Sequence, residues 1–255
     1  MHASIAERRA ALEAGLPAWP SLTYPTLLRR NVERFGDRPA VLTDRRSLTY
    51  REVWEESRAL AKGLVAIGVQ PGDHVAMVMA NHAEFVVLQF AVACAGAVNV
   101  PFNFRLQREE LSYVIGQSDA TCLVTMDAFG DHDYLALLDG IAPGWERTPQ
   151  ATFPKLRQVI TFSPGDSRPP RPGVLDLAGL AERGRAVADA EIDRRIEAAR
   201  ASDVVCVMYT SGTTGFSKGA MLTHDNFLRC AWSSARIRAL EDGRRILFSL
   251  PLYHV

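Results

Sequence analysis

The sequence carries no net charge, because 29 lysines and arginines are balanced by 29 aspartates and glutamates. That balance removes the bulk positive field by which nucleic-acid binders and acidic-membrane binders gather their partners. Cysteine is scarce. Cys94, Cys122, Cys206 and Cys230 lie far apart in or beside apolar segments, and no two have metal-ligand spacing. Buried free thiols in a reducing compartment are the expectation. Long unbroken apolar runs are also missing. The most apolar region, 75–101, is interrupted by Asn81, His82, Glu84, Gln89 and Gly96, so it reads as strand–helix–strand and not as a transmembrane segment. Near the N-terminus Glu7, Arg8, Arg9 and Glu13 stand among alanines, where a signal peptide needs an apolar core. There is no internal repeat and no long low-complexity segment. These absences point to a soluble, cytoplasmic protein without a nucleic-acid partner.

What is present is ordinary globular material, 255 residues with 47% hydrophobic and 23% charged side chains. A chain of that size buries roughly 70–75% of its unfolded surface in one large or two modest domains. Residues 1–20 read as a short charged helix and a proline-containing linker, ahead of a large domain over 21–255. The spacing of Leu27, Leu28, Val32 and Phe35 predicts a helix over 25–35, stopped by Gly36. Segments 40–43 and 47–49 flank Asp44-Arg45-Arg46 as a hairpin. Thr49 and Glu52 form a capping box that opens an amphipathic helix ending near Gly68. Beyond the Pro71-Gly72-Asp73 turn, strands are expected at 74–79, 97–100 and 121–125, with helices at 82–95 and 108–117. Between 127 and 203 the pattern weakens to a strand at 159–162, an exposed Pro/Gly/Arg-rich loop at 163–173 and a helix at 191–199. This alternation predicts an α/β fold with a mostly parallel sheet and helices on both faces.

One stretch commits the chain to a chemistry. The apolar run Val204-Val205-Cys206-Val207-Met208 reads as a buried strand. It leads into Tyr209-Thr210-Ser211-Gly212-Thr213-Thr214-Gly215-Phe216-Ser217-Lys218-Gly219. Glycines let backbone N–H groups approach phosphate oxygens, while hydroxyls and an ammonium add donors and charge. A Walker-type loop needs glycine directly before the lysine and Ser or Thr directly after it. Here Ser217 precedes Lys218 and Gly219 follows, so the P-loop reading fails both tests. After the loop, 220–222 is short and apolar, and Thr223 or His224 caps a helix to about 238. The loop therefore joins two strands of a hairpin, and helix-dipole help for phosphates is minor.

The order Thr-Ser-Gly-Thr-Thr-Gly-x-x-Lys-Gly over 210–219 resembles the nucleotide loop of the adenylate-forming (AMP-binding) superfamily, which holds acyl-CoA synthetases, peptide-synthetase adenylation domains and luciferases. It departs at Ser217, where that family usually has proline. Proline contributes rigidity and no donor, so the exchange loosens the loop without removing a phosphate contact. The resemblance runs through most of the chain. Leu48-Thr49-Tyr50-Arg51-Glu52 and Ala95-Gly96-Ala97-Val98-Asn99-Val100-Pro101, then Asn103-Phe104-Arg105-Leu106, are similar to two further family motifs, both read here as scaffolding. The second is typical of the acyl-CoA synthetase branch. Pro251-Leu252-Tyr253-His254-Val255 is similar to the family's Pro-Leu-x-His segment, whose histidine lies close to the acyl or carboxylate pocket. His254 is accordingly the substrate candidate.

The resemblance implies ATP-dependent activation of a carboxylic acid, a fatty acid first among candidates, to an acyl-adenylate and then to a coenzyme A thioester. That is the work of an acid–thiol ligase using ATP, Mg²⁺ and coenzyme A. It assigns Lys218 to phosphate contact and catalysis. Ser211, Thr213 and Thr214 become hydroxyl donors, Gly212 and Gly215 sites of close backbone approach, and Thr210 the hydroxyl on the Mg²⁺ side. The family's adenine-stacking segment, ribose aspartate, hinge and second lysine have no counterpart here, so the match is to the first half of such an enzyme. The chain alone is expected to be inactive and to self-associate through uncovered edges and apolar faces. Two other readings stand beside this one. One is an amino-acid adenylation domain, against which the Leu252-Tyr253-His254 segment speaks because such domains tend to place an aspartate there. The other is a non-catalytic fragment that binds a nucleotide or a partner.

Overall fold

The computed structural model describes residues 4–14, 19–147, 151–165, 171–210 and 217–254. After a first short helix, α1 (Ile5–Ala14), the helix α2 (Tyr24–Phe35) starts at a capping box in which Thr23 and Thr26 satisfy each other's main-chain N–H groups. The antiparallel pair β1 (Pro39–Leu42) and β2 (Ser47–Thr49) follows as the sequence predicts. So does α3 (Tyr50–Ala66), where the Glu52 carboxylate accepts from Thr49 N–H at 2.7 Å and the Thr49 hydroxyl accepts from Glu52 N–H at 3.1 Å. The next elements are β3 (His74–Val78), α4 (Ala83–Cys94), β4 (Val98–Phe102), α5 (Arg108–Gln117) and β5 (Ala120–Met126).

The weakly patterned region is more structured than its sequence indicates. It holds a small hairpin of β6 (Ala128–Phe129) and β7 (His132–Asp133), the helix α6 (Tyr134–Ile141), β8 (Gln158–Phe162), β9 (Leu175–Asp176), α7 (Leu177–Gly184) and α8 (Asp189–Ala198). The chain then forms β10 (Val204–Thr210), β11 (Lys218–Thr223) and α9 (His224–Ile237), the last capped by Thr223. The helix α7 is invisible to periodicity because it is short and carries two glycines. One of them has a structural reason. The backbones of α3 and α7 cross where a Cβ on Gly184 would lie 2.6 Å from Gly63 N, and one on Gly63 would lie 2.3 Å from Leu180 O. Only glycine permits that approach.

The main sheet has seven strands in the order β11-β10-β4-β3-β5-β8-β9, parallel throughout except for the antiparallel β10–β11 pair. Strand order runs from β3 outward to β4, then reverses to β5 on the other side. Right-handed crossovers place α4 and α5 on opposite faces as a result. The helices segregate accordingly, with α2, α3, α7 and α8 joined to α4 and its neighbours and α5 packed with α6. Because α4 is apolar on most of its surface, eight of its twelve residues are buried, with Phe85, Leu88, Ala91 and Val92 in the core.

Arg195 of α8 closes a polar gap in this layer. Its buried guanidinium donates to the carbonyls of Val69 at 3.0 Å and Ala95 at 2.9 Å, and to Glu191 at 2.7 Å. It thereby satisfies main-chain acceptors left over just after α3 and at the end of α4. The N-terminal segment is tied to the far end of the chain. The Trp19 indole donates to Asp225 at 2.7 Å, and Tyr24 N–H donates to His224 Nδ1 at 3.1 Å. One expectation about thiols needs correction. Cys94, Cys122 and Cys206 are buried, and burial pushes each up to about 12, but Cys230 is exposed. It lies two positions beyond the buried Leu228 of α9, which turns it away from the packed stripe. Among the described residues no helix is long and apolar enough to cross a membrane.

Candidate functional site

Parallel strands end along one edge of a sheet, and ligands gather there where strand order reverses. In this sheet the reversal falls at β3, flanked by β4 and β5. The residues that follow β3, β4 and β10 at that edge are Asn81, Phe104 and the phosphate-type loop. The neighbouring strand ends are already in contact, since Phe102 and Tyr209 meet edge to face at 5.5 Å.

The loop is a hairpin connection, as its sequence predicts. Thr210 and Lys218 are the last paired residues of β10 and β11, and the Thr210 hydroxyl lies 3.5 Å from the Lys218 carbonyl. Both residues are exposed. Ser211, Gly212, Thr213, Thr214 and Gly215 lie outside the described residues, so the structure places the two ends of the cradle and not its floor. Gly219 has a steric requirement of its own. It pairs with Tyr209, and a Cβ there would meet Val207 Cγ1 at 2.6 Å. Any larger residue would have to displace the Val207 side chain, at the position next to Lys218.

Two contacts from α5 steady the base of this hairpin. The Tyr209 hydroxyl donates to the Gln117 side-chain carbonyl, and the Tyr113 hydroxyl donates to the Ser217 carbonyl at 3.4 Å. Burial pushes Tyr209 up to about 12, with Tyr113 and Asp119 adding to it, so the phenol keeps its proton and stays a donor at neutral pH. Ser217 is the position at which the loop lacks the family's proline. Its backbone is tethered by a side-chain hydrogen bond where proline would have fixed a dihedral angle.

The second half of the site is the turn Leu252–His254. Tyr253 is buried edge to face against Phe104 at 5.8 Å, and Phe104 meets Phe129 at 5.4 Å. Burial raises the Tyr253 phenol. His254 is exposed, with its ring tilted over Tyr253 at 4.2 Å and its N–H donating to the Pro251 carbonyl at 3.0 Å. Asn81 holds the start of the turn, donating to Leu250 O at 2.9 Å and accepting from Leu252 N–H at 2.8 Å. Beside it, His82 stands edge-on to Phe162 and Phe129, with its Nε2 buried and unpartnered. Burial lowers its basicity, which keeps the ring neutral.

The fold thus brings Thr210, Lys218 and the Pro251–His254 segment to the ends of three adjacent strands. Nothing in the sequence marks Asn81, Tyr113 or Gln117 as neighbours of this site. In sequence Asn81 is only a polar break in an apolar run, because a contact across most of the chain leaves no local pattern. For a cation, the described residues contain no cluster of three His, Cys, Asp or Glu side chains able to hold one. A hard cation takes oxygen ligands, and Thr210 offers a single hydroxyl.

Residues 28–255 match the family described as AMP-binding enzyme. YngI of Bacillus subtilis, provisionally named an acyl-CoA synthetase, is 33% identical over 239 residues, covering 91% of this chain and 43% of YngI. The long-chain-fatty-acid–CoA ligase FadD15 of Mycobacterium tuberculosis is 33% identical over 210 residues, covering 82% of this chain and 32% of that protein. Among solved structures, a protein of Rhodopseudomonas palustris provisionally titled a long-chain-fatty-acid CoA ligase aligns with a TM-score of 0.71 at 26% identity, over 91% of this chain and 52% of that one. The chain spans about half, or less, of the length of the proteins it matches.

Proposed function

Because the chain belongs to the AMP-binding enzyme family, we propose that it supplies the phosphate-holding and acid-holding part of an AMP-forming acid–thiol ligase whose acid is a fatty acid. The reaction couples a carboxylate to ATP with loss of pyrophosphate and then passes the acyl group to coenzyme A. Its physical obstacle is charge, since one anion must approach a polyanion. Lys218, at the mouth of the hairpin, meets that obstacle by donating to the phosphates and stabilising the departing pyrophosphate. Ser211, Thr213 and Thr214 add hydroxyl donors, and Gly212 and Gly215 admit backbone N–H groups to the same oxygens. Mg²⁺, when bound with ATP, supplies further neutralisation of those phosphates, and Thr210 is the hydroxyl placed to meet it. At the neighbouring strand ends, His254 lines the end of the site that receives the carboxylate.

The observation that carries this reading is the meeting of two separate motifs at one sheet edge. Thr210 pairs with Lys218 at the end of β10, and Asn81 and Phe104 hold the turn that bears His254 at the ends of β3 and β4. The fatty-acid assignment is supported by the name of FadD15, a long-chain-fatty-acid–CoA ligase. A cytoplasmic location is part of the same proposal. So is inactivity of the 255-residue chain taken alone, given that it spans 43% of YngI.

The test is carboxylate-dependent ATP–pyrophosphate exchange in the whole natural protein. Losing one preorganised donor to a developing charge costs about 3 kcal/mol, so Lys218→Ala is expected to slow exchange by about 10²–10³-fold. Exchange that is unchanged in Lys218→Ala removes the assignment. A panel of acids in the same assay fixes the chain length accepted, and a preference for amino acids would replace the fatty-acid reading.

A further inference from the structure

The two hydrogen bonds of Asn81 join groups 169 and 171 positions apart in the chain. They satisfy the carbonyl before Pro251 and the N–H after it, as an adjoining strand would, while Pro251 has no N–H to offer. The segment that arrives at this clamp is tied at its start, where Arg38 donates to Asp242 at 2.8 Å, and is loosely held from there on. Residues 241–250 are exposed, and none of 246–249 belongs to a helix or strand. Among the described residues, the long-range hydrogen bonds made between Ile246 and His254 are the two to Asn81. The residue that makes them is itself exposed, so it is not there to fill the core. It stands at the carboxyl end of β3, the strand at which sheet order reverses.

We propose that Asn81 is a positioning residue for the acid end of the site. Its carboxamide fixes the entry of the Pro251–His254 turn, and Tyr253 then anchors against Phe104, which leaves His254 a single approach to the carboxylate. Asn81 takes no part in the chemistry. The inference rests on the reading of His254 as part of the acid-binding end.

Two variants separate the clamp from general stability. Asn81→Ala removes both hydrogen bonds, whereas Asn81→Asp keeps an acceptor for Leu252 N–H and loses the donor to Leu250. In this chain, amide hydrogen exchange at Leu252 is expected to speed up at least tenfold in Asn81→Ala and to stay near the parent rate in Asn81→Asp. In the whole natural protein, the KM for the carboxylate is expected to rise about tenfold in Asn81→Ala and less in Asn81→Asp, with the KM for ATP and the melting temperature unchanged. Unchanged exchange at Leu252 in Asn81→Ala overturns the clamp whatever the kinetics. Faster exchange at Leu252 with an unaltered carboxylate KM overturns the positioning role, and His254 is then not at the acid. Equal losses in both KM values together with a lower melting temperature reduce Asn81 to a structural contact. Absence of carboxylate-dependent exchange in the parent protein, with Leu252 behaving as expected, puts the failure in the ligase reading and not in the clamp.

Discussion

The two ends of the main sheet are built on different terms. From β5 across β3 to β4 the strands are buried on both faces, and α4 beneath them is mostly apolar and mostly buried. At the other end β11 has four of its six residues exposed, including Met221 at 72%, and the run after α9 leaves Ile246, Leu247, Phe248 and Leu250 in solvent. The proposed site residues sit on exposed positions, as most of this second region does. Thr210, Lys218 and His254 are exposed, and each is held through a buried or hydrogen-bonded neighbour, such as Tyr209, Gly219 or Tyr253. The contrast shows that the scaffold and the site draw on separate sources of order. Apolar burial fixes the first, and a handful of directed contacts fixes the second.

That contrast can be broken most forcefully from the buried side. Leu88 of α4 is 0% exposed, and Leu88→Ala is expected to cost about 3 kcal/mol or more in urea unfolding through lost transfer energy and the cavity left behind. A cost below 1 kcal/mol would mean that this layer can collapse and is less well packed than its burial indicates.

A smaller effect is expected at the junction of the two regions, where His224 accepts from Tyr24 N–H. Burial pushes this imidazole down to about 4 from 6.5. The unfolded chain therefore binds a proton first on acidification. The stability contributed is complete above about pH 6.5 and is lost as the pH falls toward 4, by about 2 kcal/mol between pH 7.5 and 5. His224→Asn keeps an acceptor and removes the titration, so it should flatten the dependence of unfolding free energy on pH over that interval. An unaltered slope would place the titrating group elsewhere.

The smallest effect on stability belongs to the exposed run. Leu247 is 97% exposed, and Leu247→Ser should shift unfolding by less than about 0.5 kcal/mol. The same change is expected to weaken self-association measured by sedimentation velocity, because an exposed apolar group favours contact with a second copy. A parent chain that sediments as a sharp monomer at all concentrations would contradict that expectation.

Much of the scaffold is legible before any coordinates. The Thr49–Glu52 box, the Pro71-Gly72-Asp73 turn and the 108–117 helix are local signals, and each appears in place. The hairpin at the phosphate-type loop follows from the short apolar run after Gly219. Legibility fails where order depends on distance in the chain. The helix α7 is recognisable only once Gly184 is seen against Gly63 of α3, and β9 is two residues that pair solely because β8 is beside them. At the site, the motif residues announce themselves by type and spacing. Asn81, Tyr113 and Gln117 do not, because a carboxamide or a phenol on a helix or turn looks like any solvated polar residue until its partner arrives from elsewhere.

The place of β10 in the sheet has a consequence for how the protein is made. Its parallel partner β4 ends at Phe102, whereas β10 begins at Val204, with β5, β8 and β9 assembling on the far side of β3 in between. On a ribosome adding roughly 5–20 residues per second, the free edge of β4 stays open for about 5–20 seconds while those residues emerge. An unpaired, apolar strand edge is a template for the wrong partner during that interval. The nascent chain should therefore depend on chaperones most between the completion of β5 and the arrival of β10, and its folding yield should respond to translation speed across that stretch more than anywhere else.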